Sequence, residues 1–118
     1  MAIRNPLPLT SDDPVCCAPI TEQALSSQDA ADIAPVLAAL GDPVRLQLFS
    51  LIAASEESCS CDLEGPVQRS QPTVSHHTKI LADAGLIIGD KRGRWMWWRV
   101  NPVRLAAVRR VLGEVPSL

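Results

Sequence analysis

Apolar residues first recur at helical spacing in a segment that begins near Ser27 or Asp29. One face of this predicted helix carries Ile33, Val36, Leu37 and Leu40. Pro35 lies inside the segment, so we expect either a later start or a kink there. The preceding residues contain closely spaced prolines and are predicted to form an extended arm. We therefore expect an arm over residues 1–26 and one folded domain over residues 27–118.

Three more helices, a β-hairpin and a last helix are predicted along this domain. Asp42-Pro43 caps the second helix, and a short third helix around residues 61–68 is interrupted by Gly65-Pro66. Ser70-Gln71-Pro72 opens a fourth helix that ends near Ala84. Residues 86–100 indicate a hairpin, and Asn101-Pro102 caps the last helix. The fold class is mainly α with a small β-hairpin.

The fourth helix is predicted to read DNA. With Val74 facing inward, a rotation of about 100° per residue places Thr78 and Leu81 on the same side. The rest of the helix then offers small polar and basic groups: Gln71 at the N-terminus, with Thr73, Ser75, His76 and Lys79 outside or on the flanks. Such groups reach base edges and phosphates in a major groove, which admits one helix.

The hairpin adds cations beside this helix. Lys91, Arg92 and Arg94 suit phosphates or an adjacent minor groove, and Gly93 supplies the turn. A short helix, a capped polar helix and a basic hairpin follow one another in the order of a winged helix-turn-helix. An ordinary amphipathic helix is the alternative, but the joint occurrence of the three features favours DNA reading.

The charge distribution supports an anionic partner. Residues 1–67 contain two basic and ten acidic residues, whereas residues 68–118 contain nine basic and three acidic ones. The formal net charge of -2 therefore conceals a basic second half. Phosphate contacts require such a local basic surface.

The four cysteines are Cys16, Cys17, Cys59 and Cys61. The start of the chain lacks the apolar run of a signal peptide, and no apolar stretch reaches the ~20 residues of a membrane span, so we expect a cytoplasmic protein without a membrane partner. In that reducing compartment the cysteines are expected to be metal ligands or redox thiols rather than a disulfide framework.

The acidic residues near the cysteines oppose the thiolate activation that an enzyme needs and favour capture of a cation. We therefore expect no enzymatic activity.

Four segments together resemble the ArsR/SmtB family of metal-sensing transcription factors. They are Leu40-Gly-Asp-Pro-Val-Arg-Leu46, Ser70-Gln-Pro-Thr-Val-Ser-His-His77, Ala84-Gly-Leu86 and Gly93-Arg-Trp95. The resemblance covers roughly residues 30–112. It implies a homodimer joined through the first and last helices, a recognition helix near 71–84 and a wing at 86–100. It also implies repression of transcription: the dimer binds double-stranded operator DNA, and an inducer weakens that binding.

The family resemblance extends to the cysteines. Cys59-Ser-Cys61-Asp-Leu63 is similar to the family's Cys-x-Cys-Asp-Leu metal motif, but Glu64 stands where one family form has a third cysteine. A further ligand must therefore come from elsewhere. The Cys16-Cys17 arm resembles a branch of ArsR proteins in which the arm reaches the short helix of the other subunit. This implies capture of As(III) by Cys16, Cys17 and Cys59, with Cys61 as the alternate or fourth ligand.

Three alternatives stay open for the inducer. Sb(III) shares the pyramidal three-ligand chemistry of As(III). A neighbouring family branch senses Cd(II) or Pb(II), and four thiolates suit a tetrahedral soft ion. The same cysteines could instead respond to oxidation. No organic cofactor is expected in any of these cases.

Overall fold

The computed structural model describes residues 19–113, and within that range it contains five α-helices and three β-strands. In chain order they are α1 (Ser27–Leu40), α2 (Pro43–Ala53), β1 (Ser58–Cys59), α3 (Glu64–Val67), α4 (Gln71–Asp83), β2 (Ile87–Arg92), β3 (Trp95–Val100) and α5 (Pro102–Leu112). A short 3-10 helix, Ser60–Asp62, lies between β1 and α3. The predicted arm lies outside the described residues up to position 18.

The described residues belong to two compact units. One unit contains residues 19–35 and 102–113, and the other contains residues 36–101. In the first unit, the backbone N–H of Ile20 donates to the carbonyl of Val111 at 2.9 Å. This hydrogen bond joins the segment before α1 to the last turn of α5.

Helix α1 begins where the apolar pattern begins. It starts at Ser27 and continues through Pro35, so of the two alternatives expected for this segment, the later start is wrong. Ser26 defines the start, because its side-chain oxygen accepts from the backbone N–H of Asp29 at 3.0 Å. The proline removes one helical hydrogen bond. The buried face that includes Ile33 and Val36 offsets this loss.

Helix α2 begins as its sequence predicts. Asp42 has extended backbone angles, and its Oδ2 atom accepts from the N–H groups of Val44 and Arg45 at 3.0 and 3.1 Å. The hydrogen bond from the Arg45 amide is the main reason that the pKa of Asp42 lies below 3.8. The Arg45 guanidinium then donates through Nε to the carbonyl of Ala39 at 2.7 Å, near the end of α1. The Asp42 cap and Arg45, three residues later, thus fix the junction of the two helices.

The predicted hairpin is present, but it belongs to a larger sheet. Strands β2 and β3 pair antiparallel, and Gly93, with φ of 65°, occupies the first position of their two-residue turn. The sequence did not predict β1, which pairs antiparallel with β3 and places Cys59 opposite Trp97. The strand order is β1-β3-β2. This sheet carries the first cysteine of the Cys-x-Cys pair beside the wing.

The core of the second unit is apolar and closely packed. Its fully buried side chains come from the second half of α1, from α2 and α4 and from the segment before β2: Val36, Leu48, Ile52, Val74, Thr78, Leu81 and Leu86. Burying one such side chain stabilises the fold by roughly 1.5–3 kcal/mol. Helix α4 is therefore anchored through its inner face, which leaves the outer face for recognition.

Substituting Gly89 tests the packing of the wing. A Cβ atom there would collide with Met96 Cε and would lie 2.6 Å from Trp98 Cζ3, whereas a Cβ at Gly65 meets nothing within 4 Å. We expect Gly89→Ala to lower the free energy of unfolding by about 1–3 kcal/mol. Gly65→Ala is the control and should leave stability unchanged or raise it. Urea denaturation at one fixed protein concentration measures both, and equal effects would contradict this packing.

Candidate DNA-binding surface and cysteine turn

Helix α4 presents the two faces that its sequence predicts. Val74, Thr78 and Leu81 are buried, and the Thr78 hydroxyl is satisfied because it donates to the carbonyls of Val74 and Ser75 at 3.0 and 3.1 Å. On the other side Ser75, His76 and Lys79 are exposed, while Gln71 and Thr73 are half-buried. All five candidate DNA contacts on the helix are thus on or beside its outer face.

Lys79 remains available to an anionic partner. It forms an ion pair with Asp83 one turn later, at 3.1 Å, but the two side chains are 74% and 67% exposed. Such an exposed pair contributes at most about 1 kcal/mol. A phosphate that approaches this face can therefore displace the carboxylate.

The three cations of the wing differ from one another. Lys91 and Arg94 are exposed, and the Arg94 guanidinium lies 5.1 Å from the ring centroid of Trp95. Arg92 instead forms a two-pronged ion pair with Glu57, at 2.7 and 3.0 Å, and a hydrogen bond to Asp90 at 2.9 Å. Two carboxylates thus compete with DNA for Arg92, which the sequence had grouped with the other two cations.

The Arg92 ion pair connects the wing to the strand that holds the first cysteine. Glu57 precedes β1, and Arg92 ends β2. The hydrogen bond from Arg92 lowers the pKa of Glu57 below 4.5. Sequence reasoning missed Glu57, because 35 residues separate the two partners and no local pattern joins them.

We use the name cysteine turn for residues 59–62. Cys59 is 2% exposed, whereas Cys61 is exposed, and the backbone N–H of Cys61 donates to Cys59 Sγ at 3.3 Å. The two sulfur atoms are joined in a disulfide, and the Cα atoms are 5.2 Å apart. The sequence predicted two free thiols, so the structure corresponds to their oxidised form. That prediction was based on a reducing cytoplasm, which gives no information about the distance between the two sulfur atoms.

The arm cysteines, Cys16 and Cys17, lie outside the described residues. Among residues 19–113, no group of three or more His, Cys, Asp or Glu side chains is arranged to hold a metal ion. The cysteine turn itself offers two sulfur atoms. The geometry therefore leaves open the sequence prediction that another segment supplies the remaining ligand.

Gln71 joins the cysteine turn to the recognition helix. In the orientation of its amide that satisfies both polar atoms, Nε2 donates to Glu64 Oε2 at 2.8 Å and to the carbonyl of Ser60 at 3.3 Å. Ser60 lies between the two cysteines, and Gln71 is the first residue of α4. The residue that the sequence selected as a base or phosphate contact thus also touches the backbone of the cysteine turn.

His77 is half-buried at the edge of the core. Its Nδ1 atom lies 3.4 Å from an Arg45 guanidinium nitrogen, an arrangement that suits a neutral imidazole. Burial lowers the pKa of His77 below 6.5; Arg45 adds to this shift and Asp42 opposes it. His77 therefore contributes to the fold rather than to a metal site with His76.

Comparison with known proteins places the chain in a family. Residues 42–88 match the family model "Bacterial regulatory protein, arsR family". The chain is 32% identical over 82 residues to an uncharacterised HTH-type transcriptional regulator of Methanocaldococcus jannaschii, with 70% of this chain and 92% of that protein covered. It is also 33% identical over 75 residues to the arsenical resistance operon repressor of Escherichia coli K12, with 64% of each covered. The cadmium resistance regulatory protein CadC homologue of Staphylococcus aureus is 29% identical over 77 residues, with 65% of this chain and 64% of that protein covered.

Solved structures show the same fold. A possible transcriptional regulator for arsenical resistance aligns with a TM-score of 0.58 and 30% identity, over 63% of this chain and 76% of that one. A homodimeric winged helix-turn-helix DNA-binding domain of Mycobacterium bovis aligns with a TM-score of 0.58 and 23% identity, over 73% of this chain and 83% of that one.

The protein is thus a winged helix-turn-helix DNA-binding regulator and not an enzyme. The chain belongs to the ArsR family of bacterial regulatory proteins. No single helix in the described part of the chain is long and apolar enough to cross a membrane.

The lowered pKa of His77 makes the stability of the fold depend on pH. Below pH 6.5 the unfolded chain binds a proton that the folded chain excludes, so stability should fall as the pH drops from about 7.5 to 5.5. His77→Gln should flatten this dependence, and His76→Gln, at the exposed neighbouring position, should preserve it. Chemical denaturation across this pH range measures the slopes. The same slope in both variants would show that His77 is not its source.

Proposed function

We propose that the chain is a homodimeric transcriptional repressor that binds operator DNA and releases it when cysteine thiolates capture As(III). The observation that carries this proposal is the hydrogen bond between Gln71 of the recognition helix and the carbonyl of Ser60, between the two cysteines. It connects the backbone of the cysteine turn directly to the first residue of the DNA-reading helix. The family relatives named for arsenical resistance support the choice of inducer.

Capture requires the reduced form of the turn. Arsenite, As(OH)₃, exchanges its three hydroxyl groups for three thiolates, and each thiol proton leaves with a hydroxyl as water. The sulfur atoms in a disulfide have no such proton or bonding position, so Cys59 and Cys61 must first be reduced. Their Cα separation of 5.2 Å suits both chemistries.

The arm is proposed to supply the other thiolates. We retain Cys16, Cys17 and Cys59 as the As(III) ligands, with Cys61 as the alternate or fourth ligand. Cys61 is exposed, so its thiolate is accessible to an ion that arrives from solvent. Cys59 is buried, so its thiolate would bond to an ion that is already held in the turn. Sb(III) would use the same three bonds.

A dimer joined through α1 and α5 agrees with the exposed apolar side chains on these elements. Leu37 on α1 and Leu112 on α5 are 36% and 44% exposed, and Ile20, bonded to the end of α5, is 47% exposed. A second copy would cover such side chains. The homodimeric state of the Mycobacterium bovis domain supports a dimer. The dimer would act in the cytoplasm, where the operator lies.

Two other inducers have particular support. The cadmium resistance relative favours a Cd(II) or Pb(II) sensor with all four thiolates. The Cys59–Cys61 disulfide favours a redox sensor, in which peroxide oxidises two thiols to a disulfide and is itself reduced to two waters. In both alternatives, the contact between Gln71 and Ser60 connects the cysteine turn to the DNA-reading helix.

Replacing the cysteines tests the proposed sensor. We expect Cys16→Ser/Cys17→Ser to bind operator DNA normally but to lose release by arsenite, because two of the three proposed ligands are gone and the cysteine turn supplies at most two thiolates. Cys59→Ser and Cys61→Ser, made separately, identify which turn cysteine is required. Fluorescence anisotropy of a labelled operator from upstream of the gene measures release by arsenite, Cd(II), Pb(II) and peroxide at constant salt. Full release of the arm variant by arsenite would eliminate the arm as sensor.

Replacing Gln71 tests the route between the two sites. Arsenite should weaken operator binding of the reduced protein by about 5–150-fold, the usual range of allosteric coupling. Gln71→Ala should reduce this ratio by about fivefold, the value of one hydrogen bond near 1 kcal/mol. His76→Gln, on the outer face, should change operator affinity but not the ratio. An unchanged ratio in Gln71→Ala would place the coupling elsewhere.

A further inference from the structure

The guanidinium group of Arg92 on the wing is held by two carboxylates in two different ways. Its terminal nitrogens, Nη1 and Nη2, donate to the two carboxylate oxygens of Glu57 at 2.7 and 3.0 Å. Its Nε atom donates to Asp90 Oδ2 at 2.9 Å. Glu57 therefore occupies the end of the guanidinium, whereas Asp90 occupies one side of it.

The end of an arginine side chain is also a phosphate-binding group. A guanidinium binds carboxylate and phosphate oxygens alike through two parallel N–H groups. The Glu57 carboxylate thus makes the pair of contacts that a backbone phosphate of DNA would make. The Arg92 side chain is 46% exposed, so DNA can approach it, but a phosphate must first displace Glu57.

Asp90 and Trp97 orient the guanidinium without the help of Glu57. Asp90 lies opposite Trp97 in the register of β2 and β3, and the guanidinium carbon of Arg92 lies 5.1 Å from the centroid of the Trp97 ring. These two contacts restrain the side chain at its Nε atom and on one face. Removal of the Glu57 charge would therefore leave an oriented cation whose terminal nitrogens can accept another anion.

We propose that Glu57 limits the affinity of the wing for DNA, because its carboxylate occupies Arg92 in place of a backbone phosphate. Glu57 thereby determines DNA affinity although it is not itself a DNA contact. Phosphate contacts carry no sequence information, so the limit applies to operator and unrelated DNA alike. The proposal rests on DNA binding by the wing and does not depend on capture of As(III).

Glu57→Gln tests this assignment, because glutamine keeps the size of the side chain but lacks the charge that competes with phosphate. We expect the variant to bind a labelled duplex of unrelated sequence about fivefold more tightly for each wing that gains a phosphate contact. The logarithm of the binding constant should also fall more steeply with the logarithm of salt concentration, by about 0.9 for each added contact. Fluorescence anisotropy at several salt concentrations measures both quantities. A folding defect would weaken binding, so it cannot imitate this gain.

Asp90→Asn is the matched control, since it removes one negative charge beside the same guanidinium but leaves the Glu57 contacts in place. It should raise DNA affinity less than Glu57→Gln does, and it should change the salt dependence less. In a chain that already carries Arg92→Gln, replacing Glu57 should give no more than the gain of Asp90→Asn.

Equal affinity and equal salt dependence in the unmodified chain and in Glu57→Gln would overturn the proposal. An equal gain in Asp90→Asn, or a full gain in the Arg92→Gln background, would also overturn it, because net charge alone would then explain the effect. An unmodified chain that binds neither operator nor unrelated DNA would contradict the proposed repressor, and this inference with it.

Discussion

The hydrogen bond from Gln71 to the carbonyl of Ser60 joins the first residue of the recognition helix to the cysteine turn, and the proposed coupling between the two sites depends on this contact. Downstream of Gln71, Val74 and Leu81 are fully buried and anchor the inner face of the helix. On the proposed function, a change at Ser60 is passed through Gln71 to this anchored helix and so to its reading face.

The same pair of sulfur atoms supports two chemistries that exclude each other. A disulfide between Cys59 and Cys61 removes the thiolates that a metalloid needs, and a bound metalloid protects the thiols from oxidation. On the proposed function, the turn therefore combines a reduced state that responds to a soft ion with an oxidised state that does not. The ion pair between Arg92 and Glu57 ties the wing to the same strand, so both DNA-contacting elements are connected to the cysteine turn.

Local periodicity was sufficient to predict the features that depend on neighbours in the chain. The buried positions Val74, Thr78 and Leu81, the hairpin turn at Gly93 and the Asp42 cap all follow from spacing within a few residues. The features that sequence reasoning missed depend on distant partners. Strand β1 is two residues long and is defined by its pairing with β3, and Glu57 becomes relevant only because the fold brings it to Arg92. The proposed contacts of Cys16 and Cys17 with the cysteine turn also depend on residues far apart in the chain, and they stay predictions.

Measuring arsenite affinity in the presence and absence of operator DNA tests the central claim most directly. Coupling between two sites at equilibrium is reciprocal, so DNA must weaken arsenite binding by the same factor by which arsenite weakens DNA binding. The account predicts equal factors, both within about 5–150-fold, for the reduced protein. If the reduced protein binds arsenite with the same affinity in the presence and absence of operator DNA, capture by the thiolates is not linked to the recognition helix, and the proposed mechanism is wrong.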